Sequence, residues 1–200
     1  MDSLAEIDAH HFTINPVVQR VMHNASNELT RTCPGFHAIT LFGSQATGRY
    51  KFSSDVDYGI IAAKEVLNTD TGELLLFNSR RASNIISSFF GKYSLKPCKT
   101  HSGGLILLNL SNDPHTYISE LNHYANILQG RTLSRNATNL GFLNTEVFPF
   151  CLPFGINFGN EEAIRTAQEF IINLISQTED PELTQLQLNR VLELMYGVES

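Results

Sequence analysis

Apolar residues fall on one helical face at Val17, Val18, Val21, Met22, Ala25 and Leu29, directly after Asn15-Pro16. Asparagine is a good N-cap and proline suits the first helical position, so a helix is expected from here. Cys33-Pro34-Gly35 breaks the chain. Two short β-type runs follow, His37 to Phe42 and Val56 to Ala62, joined by a polar loop rich in glycine, serine and basic residues. Ala82, Ile85, Ile86, Phe89 and Phe90 repeat at i, i+3, i+4, i+7 and i+8, the pattern of an amphipathic helix of about three turns. Ser94 to Lys99 and Leu105 to Leu110 read as two more strands, with His101-Ser102-Gly103-Gly104 as a hairpin turn. The order to that point is α-β-β-α-β-β.

After Asp113-Pro114 the texture becomes helical: Thr116 to Leu128, a loop through Pro149 and Pro153, then Glu161 to Ser176 and Glu182 to Tyr196. Asn160 and Asp180-Pro181 supply the last two starts, with acidic residues suiting the positive end of the helix dipole. Ile164, Ala167, Ile171 and Leu174, and then Leu183, Leu186 and Leu194, read as core or partner-facing positions. The expected fold class is therefore α+β, a small mixed sheet flanked by helices and followed by a helical C-terminal region.

The 200 residues, 42% hydrophobic and 17% charged, can bury a sizeable core and match neither a disordered nor a fibrous chain. The acidic N-terminus and the short apolar run around Leu105 to Leu110 predict no membrane span, and a cytoplasmic location is the default expectation. Cys33, Cys98 and Cys151 are widely spaced and form no CxxC, so they read as reduced thiols, with neither a disulfide framework nor a zinc site indicated. The net charge of -6 is uneven: residues 1–100 hold ten Lys/Arg against nine Asp/Glu, and residues 101–200 hold four against eleven. The second half is a poor surface for a nucleic-acid backbone.

Chemistry concentrates in LFGSQATGRYKFSSDVDYGII, Leu41 to Ile61. Side chains alternate along a strand, so Asp55 and Asp57 project to one side, with Val56 pointing the other way. Two adjacent carboxylates repel unless a cation lies between them, and Mg²⁺ typically combines one or two carboxylates with phosphate oxygens and water. Gly43-Ser44 offers a triphosphate close backbone approach, N–H groups and a hydroxyl, while Arg49 and Lys51 can neutralise phosphate charge. A glycine-serine turn alone, or an Asp-x-Asp alone, is commonly just solvated surface. Their order, spacing and flanking apolar runs make a nucleotide site the better account. No GxxxxGK[ST] P-loop is present.

This stretch resembles the signature of the nucleotidyltransferase superfamily, which includes DNA polymerase beta, the aminoglycoside nucleotidyltransferases and the minimal nucleotidyltransferases. The resemblance covers about residues 15–112. It implies a palm domain with an N-terminal helix over 1–114 and a helical region over 115–200. Carried over by position, Gly43 and Ser44 bind the triphosphate of an NTP, with ATP expected, and Asp55 and Asp57 bind two Mg²⁺ ions, for which Mn²⁺ can substitute. The implied reaction moves a nucleoside monophosphate to a hydroxyl of a small molecule or protein and releases pyrophosphate; the acidic second half disfavours RNA.

The family generally uses a third carboxylate on a later strand. GGLILLNLSND matches that strand but places Asn109 at the position, and an amide is no general base. Either Asp113 serves instead, or another group takes the proton, or the chain is a nucleotide-binding regulatory or antitoxin-like module with weakened turnover. Elsewhere, His10-His11 and His101 read as solvated, Arg80-Arg81 as a solvent-facing helix start that could meet a phosphate, and Arg131 as a residue that could reach the nucleotide or acceptor. An Arg-x(4–6)-His motif is absent from the C-terminal half, which disfavours a fused HEPN ribonuclease.

Overall fold

A computed structural model describes residues 14–98, 104–107, 115, 118, 119, 122, 123 and 148–196. Helix α1 (Pro16–Thr32) begins where the sequence places it, with the Asn15 side chain accepting from the Val17 amide. Its buried face is Val18, Val21, Met22, Ala25, Ser26 and Leu29; Val17 is exposed. Strand β1 (Phe36–Phe42) follows, and the expected polar loop opens with a single helical turn, α2 (Gly43–Ala46). Then come β2 (Asp57–Ala62), the short strands β3 (Glu65–Leu67) and β4 (Leu74–Leu76), α3 (Ser79–Lys92) and β5 (Gly104–Leu107). The remaining elements are a short helix α4 (Phe148–Cys151), a 3-10 turn (Leu152–Phe154), β6 (Ile156–Gly159), α5 (Glu161–Ser176) and α6 (Pro181–Tyr196).

The class is α+β. Four strands form one sheet in the order β5-β2-β1-β6, with β1 antiparallel to both β2 and β6, and β2 parallel to β5. Strands β3 and β4 pair separately. Side chains of β1 and β2 are buried along nearly their whole length, as expected for central strands covered on both faces. Ala82, Ile86 and Phe90 from α3 join the buried residues of α1 in the core, and full burial of side chains the size of Ile86 or Phe90 is worth about 1.5–3 kcal/mol each. Among the described residues no helix is long and apolar enough to cross a membrane.

Two expectations need correction. The segment from Ser94 to Cys98 is not a hairpin arm against β5. Pro97 instead makes a parallel bridge to Val56, with Val56 N–H donating to Lys96 O (2.8 Å) and Cys98 N–H to Val56 O (3.0 Å). The loop expected through Pro149 and Pro153 contains β6, which completes the sheet. Its Gly159 lies so close to β1 that an added Cβ would sit 2.7 Å from Ala38 Cα. In α6 the buried side is Thr184, Leu188, Val191, Leu192 and Met195, whereas Leu186 is exposed, the outward-facing of the two placements expected for it. Of the expected helix over 116–128, the described residues 118, 119, 122 and 123 are helical.

Candidate functional site

Because β1 and β2 run antiparallel, the end of one meets the start of the other, and Phe42 pairs with Asp57. The Gly43-Ser44 turn and the aspartates therefore meet at one end of the sheet. Gly43 has φ +69°, a left-handed conformation that glycine alone adopts without strain. A Cβ there would collide with the Asp57 carboxylate and sit 3.2 Å from Asp57 Cβ. The missing side chain of Gly43 is thus the space that Asp57 occupies.

Val56 is fully buried, so its neighbours Asp55 and Asp57 project together from the other side, as strand alternation requires. Asp55 is exposed and Asp57 is buried. Their carboxylates and the thiol of Cys98 bring one ligand atom each to within 4.8 Å of one another. Two carboxylates at that spacing suit a divalent cation, Mg²⁺ included, while the thiol adds a softer third donor that Mg²⁺ does not favour. Tyr58, the next residue and so on the opposite face, is buried with its ring edge-on to Phe90 at 5.5 Å, and burial raises its pKa.

The turn is pinned from outside. Gln45 is buried; its backbone carbonyl accepts from Asn15 N–H (3.1 Å) and its Oε1 accepts from Asn15 Nδ2 (2.9 Å). Its own Nε2 donates to Ser54 O (3.0 Å), just ahead of Asp55. One amide thus ties the α1 cap, the Gly-Ser turn and the approach to the aspartates. Thr47 Oγ1 donates to Gly43 O (3.1 Å) and closes the turn.

Arg49 and Lys51 lie in the linking loop with exposed side chains. Arg49 Nε donates to Thr47 Oγ1 (3.2 Å), and the Lys51 amide donates to Ser54 Oγ (2.8 Å). Among the described contacts neither reaches Asp55 or Asp57. Arg80 and Arg81 line, with Glu28, Asn84, Phe89 and Lys92, a cavity of about 590 Å³ beside α1 and α3 whose lining includes none of Gly43, Ser44, Asp55 or Asp57. Asn109, Asp113, His10, His11, His101 and Arg131 lie outside the described residues.

Two residues of this constellation escape sequence reasoning, Gln45 and Cys98. Gln45 follows directly on Gly-Ser, and a long polar side chain inside a short turn between apolar runs is the signal that was available. Cys98 carries no local signal, since its place beside Asp57 comes from pairing with a distant segment. Searches against known protein families, curated proteins and solved structures return no match.

Proposed function

We propose that this chain is a nucleotidyltransferase, built on a palm of the DNA polymerase beta kind, that moves AMP from ATP to a hydroxyl of a small molecule or protein and releases pyrophosphate. The observation that carries the reading is the pairing of Phe42 with Asp57, which sets the Gly43-Ser44 turn against two carboxylates. Asp55 and Asp57 would hold Mg²⁺, with Mn²⁺ able to substitute; when bound, such ions neutralise charge on the attacking and leaving oxygens of phosphoryl transfer.

The residues of the chain do the positioning. The N–H groups at the start of α2 and the Ser44 hydroxyl face a triphosphate, the arrangement by which short backbone turns bind phosphate. Arg49 and Lys51, exposed on the adjoining loop, meet further phosphate charge. The hydrogen bonds of Gln45 hold the turn and the aspartate segment in register, so little rearrangement is needed on binding. The acidic residues 101–200 favour a cationic small molecule or a protein as acceptor over RNA.

Incubation with α-labelled ATP and Mg²⁺ or Mn²⁺, in the presence of lysate proteins, RNA and small molecules, tests the reading and names the acceptor. Transfer that disappears in the Asp55→Ala/Asp57→Ala variant supports it, and transfer that persists there refutes it. Metal-dependent ATP binding without label transfer would make the chain a nucleotide-binding regulatory module instead, the outcome that Asn109 in place of a carboxylate favours.

A further inference from the structure

We infer that Asp55, Asp57 and Cys98 together bind a thiophilic divalent cation of the zinc, cobalt or cadmium class, and prefer it to Mg²⁺. The inference deepens the proposed function, resting on its reading of the aspartates as ligands, and adds a donor that the reading does not use.

Register places the thiol. Val56 and Pro97 pair across a parallel bridge, so their side chains share one face, and the next residues along each segment, Asp57 and Cys98, turn to the opposite face together. Asp55, one residue before Val56, lies on that same face. Two backbone hydrogen bonds bracket Val56, to Lys96 O and from Cys98 N–H, and lock the segments against sliding. The three donors are therefore fixed by the backbone before any ion arrives.

The separations suit one ion. With metal–oxygen bonds of about 2.1 Å and metal–sulfur bonds of about 2.3 Å, the ligand atoms of a tetrahedral zinc-sized ion lie about 3.4–3.6 Å apart. The donor atoms here lie within 4.8 Å of one another, so rotamer movements of about an ångström, with the exposed Asp55 carboxylate the freest to make them, close the site. Asp57 is 8% exposed and Cys98 6%, while Asp55 is open to solvent, which leaves an entry on one side and a dry wall on the other. The Cys98 thiol is not in a disulfide.

Donor chemistry selects the ion. Mg²⁺ prefers an octahedron of oxygens and gives up water reluctantly, whereas thiolate favours zinc and its softer neighbours. Binding breaks the S–H bond, forms a metal–sulfur bond and releases one proton to solvent. Because the ion uses both carboxylates, zinc-class cations compete with the Mg²⁺ that transfer requires.

Titration of the full chain with Cd²⁺ or Co²⁺, without nucleotide, reads the site through the thiolate-to-metal charge-transfer absorption. A band of one-to-one stoichiometry is expected that survives excess Mg²⁺, persists in Cys33→Ser and Cys151→Ser, and vanishes in Cys98→Ser. Affinity is expected to fall by about 100-fold or more in Asp55→Asn, an exposed position where folding is not at stake, since loss of a partner that only hydrogen-bonds a ligand already costs about 10- to 100-fold. A band unchanged in Cys98→Ser, an affinity unchanged in Asp55→Asn, or displacement of Cd²⁺ by equimolar Mg²⁺ would each overturn the inference. Metal-dependent ATP binding with no such band defeats this inference alone. The band without ATP binding defeats the transferase reading alone.

Discussion

Replacing Gly43 by alanine separates backbone strain from the contact that defines the site. Gly43 and Gly72 have nearly the same backbone, φ +69° and +70°, but a Cβ at Gly72 meets nothing within 4 Å, whereas at Gly43 it runs into the Asp57 carboxylate. The left-handed conformation costs an alanine about 1–2 kcal/mol at either position. At Gly43 the carboxylate must also move, and rotation alone does not fully relieve the contact, because Asp57 Cβ, which no side-chain rotation shifts, would still lie 3.2 Å from the new methyl. Overpacking of that kind adds about 1–3 kcal/mol. Urea denaturation should therefore show Gly72→Ala losing about 1–2 kcal/mol and Gly43→Ala about 2–5 kcal/mol, the sum of the two effects. Displacing one ligand by about an ångström should also cost transfer about 100-fold, with no such loss in Gly72→Ala. Equal destabilisation by the two substitutions, together with undiminished transfer in Gly43→Ala, would refute the contact and the site built on it.

Other outcomes follow from the same coordinates. Asn15→Ala removes both the cap on Val17 and the bond to Gln45, so stability should fall by about 1–3 kcal/mol and ATP affinity should fall with it. Loss of stability with unchanged ATP affinity would show that the α1 cap does not position the turn. Gly159→Ala forces β6 away from the backbone of His37 and Ala38, and a loss of less than about 1 kcal/mol in chemical denaturation would contradict that packing. Burial lowers the pKa of His37, so the folded state favours the neutral ring. That contribution is complete above the unfolded value of about 6.5 and is lost as pH falls through the lower folded value. The pH dependence of the denaturation midpoint should flatten below about 6.5 in His37→Gln, and an unchanged profile would contradict the assignment.

Much of this architecture is legible in the chain, for physical reasons that also explain the failures. Helices α1, α3 and α5 show a full apolar stripe with capping residues, and the central strands β1 and β2 show continuous apolar runs, so periodicity finds both. The Gly-Ser and Asp-x-Asp elements follow from strand alternation and one turn glycine. Strand β6 hides because it is four residues of half-buried edge strand behind two prolines, and its partner β1 is far away in sequence. Strands β3 and β4, at three residues each, are too short for alternation to register. Leu186 repeats in phase with Leu183 yet lies on the exposed side, since α6 packs through Leu188, Val191, Leu192 and Met195. Cys98 is placed by a pairing that looks, in one dimension, like the arm of a hairpin.

The central claim is that the Gly43-Ser44 turn and the Asp55/Asp57 pair hold a metal-bound triphosphate, and calorimetric titration with ATP tests it most directly. The wild-type chain should bind ATP with Mg²⁺ or Mn²⁺ present and lose that binding when the ion is chelated, and Asp55→Asn/Asp57→Asn should bind in neither condition. Heats that do not depend on the divalent ion, or that are the same in the double variant, would contradict the claim.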